Sequence, residues 1–250
     1  MKILGIIPAR YASTRFPGKP LALIDGRPMI EHVWRGVAGS GIVTRTIVAT
    51  DDERIADAVR KFGGETAMTS SFHQSGTDRC GEVLEQLGTE SDNYDVVINI
   101  QGDEPRVDCS QLQLLADCFE ESDTEVATLC RRIETVDQLL SPNVVKVVSS
   151  LQGKALYFGR SPLPYVRNVE QSQWTKHQKF YKHIGIYAFR PDILRLISHL
   201  EPTPLEMSES LEQLRWLENG ITIKVRETEV ENVSIDTPDD LHKLNNITAK

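Results

Sequence analysis

Continuous apolar runs alternate with amphipathic stretches along the chain. Ile3-Leu4-Gly5-Ile6-Ile7 is unbroken, the pattern of a strand covered on both faces, and it stops at Pro8, where a loop opens. Thr46-Ile47-Val48-Ala49 predicts a second strand. Thr50 and Glu53 then have the capping-box spacing of a helix through Phe62. A helix from about Thr77 to Leu87 carries Val83, Leu84 and Leu87 as its apolar stripe. Val96 to Ile100 is another buried-strand run. Ser110 and Gln113 repeat the capping-box spacing ahead of a helix toward Phe119, and Val126 to Cys130 predicts a strand.

The pattern changes in the second half. Val144 to Val148 and Ala155 to Phe158, separated by Gln152-Gly153, read as a β-hairpin. Ile184 to Phe189 and Ile221 to Val225 read as strands, and Leu205 to Leu217 as one helix. Thr237-Pro238 starts a last helix with a cap and a proline at its first position. Repeated β-α followed by a mixed region, without internal repeat or long linker, predicts one α/β domain over residues 1–250.

Composition narrows the function. The 250 residues carry a formal net charge of -8, with 40% hydrophobic and 26% charged positions, as in an ordinary globular protein. The acidic balance argues against general nucleic-acid binding and leaves room for one focused positive cleft. Cys80, Cys109, Cys118 and Cys130 have no CxxC spacing and no histidine partners at zinc-site spacing. The opening run lacks signal-peptide flanks and is too short to span a bilayer, so a cytoplasmic chain with reduced thiols and no membrane insertion is expected.

The candidate chemistry sits where strands end. Arg10, Arg15 and Lys19 follow the first strand together with the hydroxyls of Ser13 and Thr14, and no Asp or Glu precedes Asp25. A basic, hydroxyl-bearing loop at the carboxyl end of a strand suits a polyphosphate. Pro17 and Pro20 stiffen that loop and lower the entropy cost of ordering it on a ligand. Asp103, in Gln101-Gly102-Asp103-Glu104-Pro105, follows the Val96 to Ile100 strand and is placed to hold Mg²⁺ against phosphate oxygens; a polar turn explains the same residues. Asp236, in Val233-Ser234-Ile235-Asp236-Thr237, is expected at another strand-to-helix junction, or as a helix N-cap neighbour. His73-Gln74-Ser75-Gly76-Thr77-Asp78-Arg79 presents backbone N–H groups to a phosphate or a base edge, and reads equally well as a capped helix start. His183 is either a sugar-carboxylate contact or an ordinary strand histidine. The usual phosphate motifs, GxxxxGK[ST] and GxGxxG, are absent.

The segment from Ile7 to Leu21, with Pro8-Ala9-Arg10 and Ser13-Thr14-Arg15-Phe16-Pro17-Gly18-Lys19 at its centre, resembles the signature loop of the CMP-Kdo synthetases (3-deoxy-manno-octulosonate cytidylyltransferases). His73 to Arg79, Asn99 to Pro105, Ala155 to Arg160, His183 to Tyr187, Leu211 to Arg215 and Ile235 to Pro238 match that family in order. The opening loop alone marks the broader sugar-acid cytidylyltransferases, sialic acid activators included; the later segments are more specific to Kdo.

The resemblance implies a mostly parallel, Rossmann-like nucleotidyltransferase sheet and the reaction of CTP with Kdo to CMP-Kdo and pyrophosphate, with Mg²⁺, in lipopolysaccharide synthesis. It also implies roles. Arg10, Ser13, Arg15 and Lys19 would bind and polarise the triphosphate beside Pro8 and Ala9. Ser75, Gly76, Thr77 and Arg79 would line the cytidine pocket. Asp103, also at the nucleotide, and Asp236 would hold the metal. Gln101, Arg160, His183, Tyr187, Glu212 and Gln213 would surround Kdo. A homodimer joined near residues 150–205 is implied as well.

Overall fold

The computed structural model describes residues 1–13, 15–231 and 234–248. Thr14 and Val233, both within segments singled out above, lie outside the described residues. The chain divides into two compact units, Met1–Gln113 with Asn232–Lys250, and Leu114–Glu231.

In chain order the first unit holds β1 (Ile3–Ala9), the two-residue strands β2 (Leu23–Ile24) and β3 (Arg27–Pro28), α1 (Met29–Ala38), β4 (Arg45–Thr50), α2 (Glu53–Lys61), β5 (Glu65–Met68), α3 (Gly76–Leu87), β6 (Val96–Asn99) and the start of α4 (Cys109–Asp117). β1 pairs in parallel with β4 on one side and β6 on the other, and β5 lies parallel outside β4. Leu4, Ile6 and Ile7 are fully buried, as a strand covered on both faces requires. α1 turns Met29, Ile30, Val33 and Val37 inward, and α2 does the same with Ile55, Ala56 and Val59.

β1 runs two residues past the predicted break. Pro8 pairs with Ala49 of β4, whereas the ladder to β6 covers only Ile3 to Ile6. The Ile6 carbonyl accepts from Ile100 N on the β6 side. Two residues on, Pro8 faces the same side beyond the end of that ladder, so its missing N–H breaks no pairing.

Two predicted caps shift. Thr50 is the buried last residue of β4, and the cap of α2 is Asp52, whose side chain accepts from Arg54 N at 2.9 Å. α4 starts at Cys109, where Asp108 Oδ1 accepts from Ser110 N at 2.8 Å and from Ser110 Oγ at 2.6 Å. In both places a carboxylate one or two residues away captures the free N–H groups.

The second unit continues with β7 (Val126–Ile133), α5 (Val136–Leu140), β8 (Lys146–Ser149), β9 (Ala155–Gly159), α6 (Trp174–His177), β10 (Phe180–Phe189), α7 (Pro191–Ile197), α8 (Pro204–Glu209), α9 (Gln213–Glu218) and β11 (Ile223–Glu227). β7 lies between antiparallel β10 and parallel β11, and the predicted hairpin β8–β9 joins the other side of β10. The single helix expected over 205–217 is two helices, broken at Ser210, which has φ 52°. The break is held by Arg160, whose guanidinium donates to the carbonyls of Glu209 at 2.6 Å and Ser210 at 3.3 Å.

α10 (Pro238–Thr248) returns to the first unit, with Thr237 Oγ accepting from Asp240 N at 3.3 Å. Among the described residues between β11 and α10 there is no strand. Asp236 lies instead on a segment tied down by Ile235 N, which donates to the Asp103 carbonyl at 3.0 Å. Ile235 packs with Ile24, Met29 and Leu244, and Phe16 packs against that cluster. The fold is thus α/β, with repeated parallel β-α in the first unit and a mixed sheet in the second. No helix of the described residues is long and apolar enough to cross a membrane.

Candidate active site

A cleft of about 250 Å³ opens at the carboxyl ends of β1 and β6 in the first unit. One wall is the loop after β1, which contributes Arg10, Ser13, Arg15 and Lys19 after Pro8 and Ala9. The loop is pinned at several points. Gly18, in the left-handed region at φ 71°, donates its N–H to the Tyr11 carbonyl at 3.0 Å. Ser13 Oγ accepts from Phe16 N at 3.3 Å, and the Arg54 guanidinium stacks 3.4 Å from the Tyr11 ring centroid.

The floor is Gln101-Gly102-Asp103. A Cβ at Gly102 would lie 2.6 Å from the Pro8 carbonyl oxygen, so this close approach of two backbones needs glycine. Asp103 and Asp236 face Lys19. Lys19 Nζ donates to Asp103 Oδ2 at 2.7 Å and lies 3.5 Å from Asp236 Oδ1, to which Arg15 also donates at 3.2 Å. The Lys19 and Asp103 side chains are 15% and 28% exposed, so this pair is poorly screened compared with a surface ion pair.

The opposite wall is His73 to Gly76 with Arg79. Ser75 caps α3 through a reciprocal capping box with Asp78. Gly76 packs on Pro8, where a Cβ would come within 3.3 Å of the proline ring. Arg79 is buried and committed: it donates to Thr69 Oγ1 at 2.5 Å and to Asp51 Oδ2 at 3.1 Å. Thr77 is buried and does not line the cleft.

The cleft therefore gathers twelve of the sequence-predicted residues: Pro8, Ala9, Arg10, Ser13, Arg15, Lys19, Ser75, Gly76, Arg79, Gln101, Asp103 and Asp236. It adds Pro20, His73, Gln74 and Gly102, to which the sequence assigned no contact. His73 and Gln74 belong to the motif that leads into α3, and their position two and one residues before the cap at Ser75 is the available signal.

The remaining predicted sugar contacts belong to the second unit. His183, on β10, faces Thr128 across the β7 ladder, with Nε2 2.9 Å from Thr128 Oγ1. The Thr128 hydroxyl also meets the carbonyls of Ile184 at 3.1 Å and Ile186 at 2.8 Å, brought together by a bulge in β10. Its one proton serves those carbonyls, so His183 Nε2 carries the ring proton and donates. Burial pushes the His183 pKa down to about 3, which keeps the ring neutral near pH 7. Tyr187 lies beside it, tilted by 45° at 5.2 Å between ring centroids; burial, and then the Glu212 charge, push its phenol well above the usual value. Arg160 donates to the carbonyls of Pro142, Glu209 and Ser210, and its backbone N–H to Glu209 Oε2, so most of its donors serve the fold. Glu212 and Gln213 stand at the start of α9. The four cysteines are free; burial raises the Cys118 thiol to about 11 and the Cys130 thiol to about 12.

Parallel strands that deliver a cationic loop and a carboxylate pair to one cleft describe a nucleotidyltransferase. The family model described as cytidylyltransferase matches residues 4–224. The chain is similar to a 3-deoxy-manno-octulosonate cytidylyltransferase of Phocaeicola vulgatus, 53% identical over 244 residues, covering 96% of this chain and 95% of that protein. It is similar to another of the same description from Parabacteroides distasonis, 49% identical, covering 97% and 96%. A solved structure of CMP:2-keto-3-deoxy-manno-octonic acid synthetase complexed with CTP superposes with a TM-score of 0.90 at 41% identity, covering 100% of this chain and 99% of that one. The chain belongs to the 3-deoxy-manno-octulosonate cytidylyltransferase family.

Proposed function

We propose that this chain transfers CMP from CTP to 3-deoxy-D-manno-octulosonate (Kdo) and releases pyrophosphate. The observation that carries the reading is the convergence of Lys19, Asp103 and Asp236 beneath the Arg10–Arg15 loop, in a chain about half identical to relatives of that description. In this reading the triphosphate lies along Arg10, Ser13, Arg15 and Lys19, and the cytidine lies toward Ser75, Gly76, Thr77 and Arg79. The sugar contacts of this reading are Gln101 in the first unit and Arg160, His183, Tyr187, Glu212 and Gln213 in the second.

The anomeric hydroxyl of the sugar gives up its proton to solvent as its oxygen attacks the α-phosphorus in line, and the bond from the α-phosphorus to pyrophosphate breaks. Arg10, Arg15 and Lys19 neutralise charge that builds on the phosphate oxygens, and Lys19, the least exposed cation of the ion cluster, is the least screened by solvent.

Mg²⁺ fits the residues present. Asp103 and Asp236 already converge on one cation, the Lys19 ammonium, and hard carboxylate oxygens plus substrate phosphates are what Mg²⁺ takes. When bound there, it supplies positive charge that lowers the pKa of the attacking hydroxyl. Burial lowers the His183 pKa to about 3, so its ring is a poor proton acceptor near pH 7, and this reading gives it no role as the base.

The reading extends to a homodimer formed through residues 150–205, one cytidylyltransferase domain spanning 1–250, and a place in the cytoplasm. Pyrophosphate release from CTP and Mg²⁺ tests it, with Kdo in one cell and N-acetylneuraminate in another. Release with Kdo alone is expected. Release with neither, while CTP still binds, overturns the assignment of the sugar.

A further inference from the structure

Lys146 is a fully buried lysine for which the proposed chemistry has no use. It opens β8 in the second unit. Its Nζ donates to the Ser141 carbonyl at 2.7 Å and to the Arg160 carbonyl at 2.6 Å. Neither acceptor belongs to a strand: Ser141 caps α5, and Arg160 follows the end of β9. Burial pushes the Lys146 pKa below the ordinary lysine value; the Glu209 charge works against that, and the Arg160 charge adds to it. A polar head is costly to bury without its bonds, and an apolar side chain of similar length would fill the space with no such requirement.

Those bonds converge on Arg160, which is gripped at both ends of its own backbone. Lys146 holds its carbonyl, and Glu209 Oε2 accepts from its N–H at 2.9 Å. The guanidinium is fixed in turn. Nε donates to the Glu209 carbonyl at 2.6 Å, Nη1 to the Pro142 carbonyl at 3.0 Å and Nη2 to the Ser210 carbonyl at 3.3 Å. Pro142 follows Ser141 directly, so Lys146 and the guanidinium fasten adjacent carbonyls of one turn. A guanidinium has five N–H donors, and among the described residues these bonds leave one on each terminal nitrogen. What remains for a ligand is a cationic head whose direction is already set.

We infer that Lys146, with Glu209 at the opposite end of the Arg160 backbone, is a positioning residue that aims the Arg160 guanidinium at the sugar acid. The inference rests on the reading that makes Arg160 a sugar contact, and it names what holds that contact in place. Hydrogen bonds from a guanidinium to an anion weaken steeply when the donors swing out of line. A loosened Arg160 therefore binds the sugar acid poorly, while CTP, assigned to residues of the first unit, binds as before.

Pyrophosphate release gives KM for Kdo, and calorimetric titration gives the CTP affinity. Both are measured for the wild-type protein, Lys146→Met, Glu209→Ala, Arg160→Met and the double variant Lys146→Met with Arg160→Met. Lys146→Met fills the same space without the two bonds; it should raise KM for Kdo by about tenfold or more, with CTP affinity within about twofold of the wild-type value. Glu209→Ala, at a half-buried position, should act in the same direction by less, and it decides alone if Lys146→Met does not fold. In Arg160→Met the lysine has no guanidinium to aim, so the double variant should show the KM of Arg160→Met. A double variant weaker than Arg160→Met, or a Lys146→Met that loses CTP and Kdo alike, assigns the lysine to the fold alone and overturns the inference. An unchanged KM in the deciding variant, beside a raised one in Arg160→Met, overturns it and leaves the sugar reading intact. An unchanged KM in Arg160→Met removes both.

Discussion

The Lys19 ammonium spans Asp103 and Asp236, 2.7 Å from one carboxylate and 3.5 Å from the other. The residue assigned to the phosphates and the residues assigned to the metal are thus one ion cluster, with Arg15 as its outer member. Removing any member leaves the others with altered charge, so kinetic effects within the cluster should not add.

Asp103→Asn and Asp236→Asn should each lower kcat by about 10²-fold or more while changing CTP affinity only a few-fold, because their charge acts on the reacting centre. Steady-state kinetics beside CTP titration separates the two quantities. Lys19→Met should weaken both CTP binding and turnover; CTP kinetics unchanged by it would move Lys19 off the triphosphate.

Arg79 should prove structural before it proves nucleotide-binding. It is buried against Asp51 and Thr69, so Arg79→Met leaves a nearly buried carboxylate unpaired and should cost about 3 kcal/mol of stability. Adding Asp51→Asn should recover part of that loss in urea denaturation. A variant of full stability that fails only to bind CTP would assign the guanidinium to the ligand instead.

Gly102→Ala places a methyl group 2.6 Å from the Pro8 carbonyl oxygen, a backbone atom with no rotamer to escape into. Separation of the floor from β1 should destabilise the fold by about 1–3 kcal/mol and reduce turnover. Gly26→Ala is the comparison: its methyl group meets nothing, and its φ of 79° should affect stability alone.

His183 sets a pH dependence with a definite sign. Its folded pKa, about 3, lies below the ordinary histidine value, so the unfolded chain binds the extra proton. Its contribution to stability is constant above about pH 6.5, and falls by up to about 1.4 kcal/mol per unit as pH drops toward 3. Urea midpoints at several pH values should slope more steeply for the wild-type protein than for His183→Gln. Equal slopes would mean that the ring titrates normally. Thr128→Val, which strips the ring and two carbonyls of their shared partner, should destabilise by about 1–3 kcal/mol at neutral pH.

The sequence disclosed the strands because apolar runs such as Val96 to Ile100 have one reading when bounded by polar turns. It disclosed the cationic loop because three positive charges stand together on an acidic chain. Caps were less legible: Thr50 and Asp52 both suit the role, and the ladder that claims Thr50 for β4 is a tertiary fact. The break at Ser210 depends on Arg160, fifty residues away in sequence, which no local pattern encodes. The sequence marks Asp236 as a candidate carboxylate but not what holds it in place. Its tie to Asp103 through Ile235 is a backbone bond between distant segments, beyond the reach of any local pattern.

The bond from Ile235 to Asp103 also bears on how the protein is made. Arg15 and Asp236 are separated by 221 residues, and the second unit is synthesised in full between them. While the ribosome works, the first three strands and the cationic loop emerge before the second unit, and the second carboxylate only after it. A nascent chain holds Arg10, Arg15 and Lys19 without their full complement of acid, and so passes through a stage that is more cationic at its ligand cleft than the finished molecule. The Arg15–Asp236 ion pair and the Ile235–Asp103 bond therefore complete the cleft only after the second unit has been made.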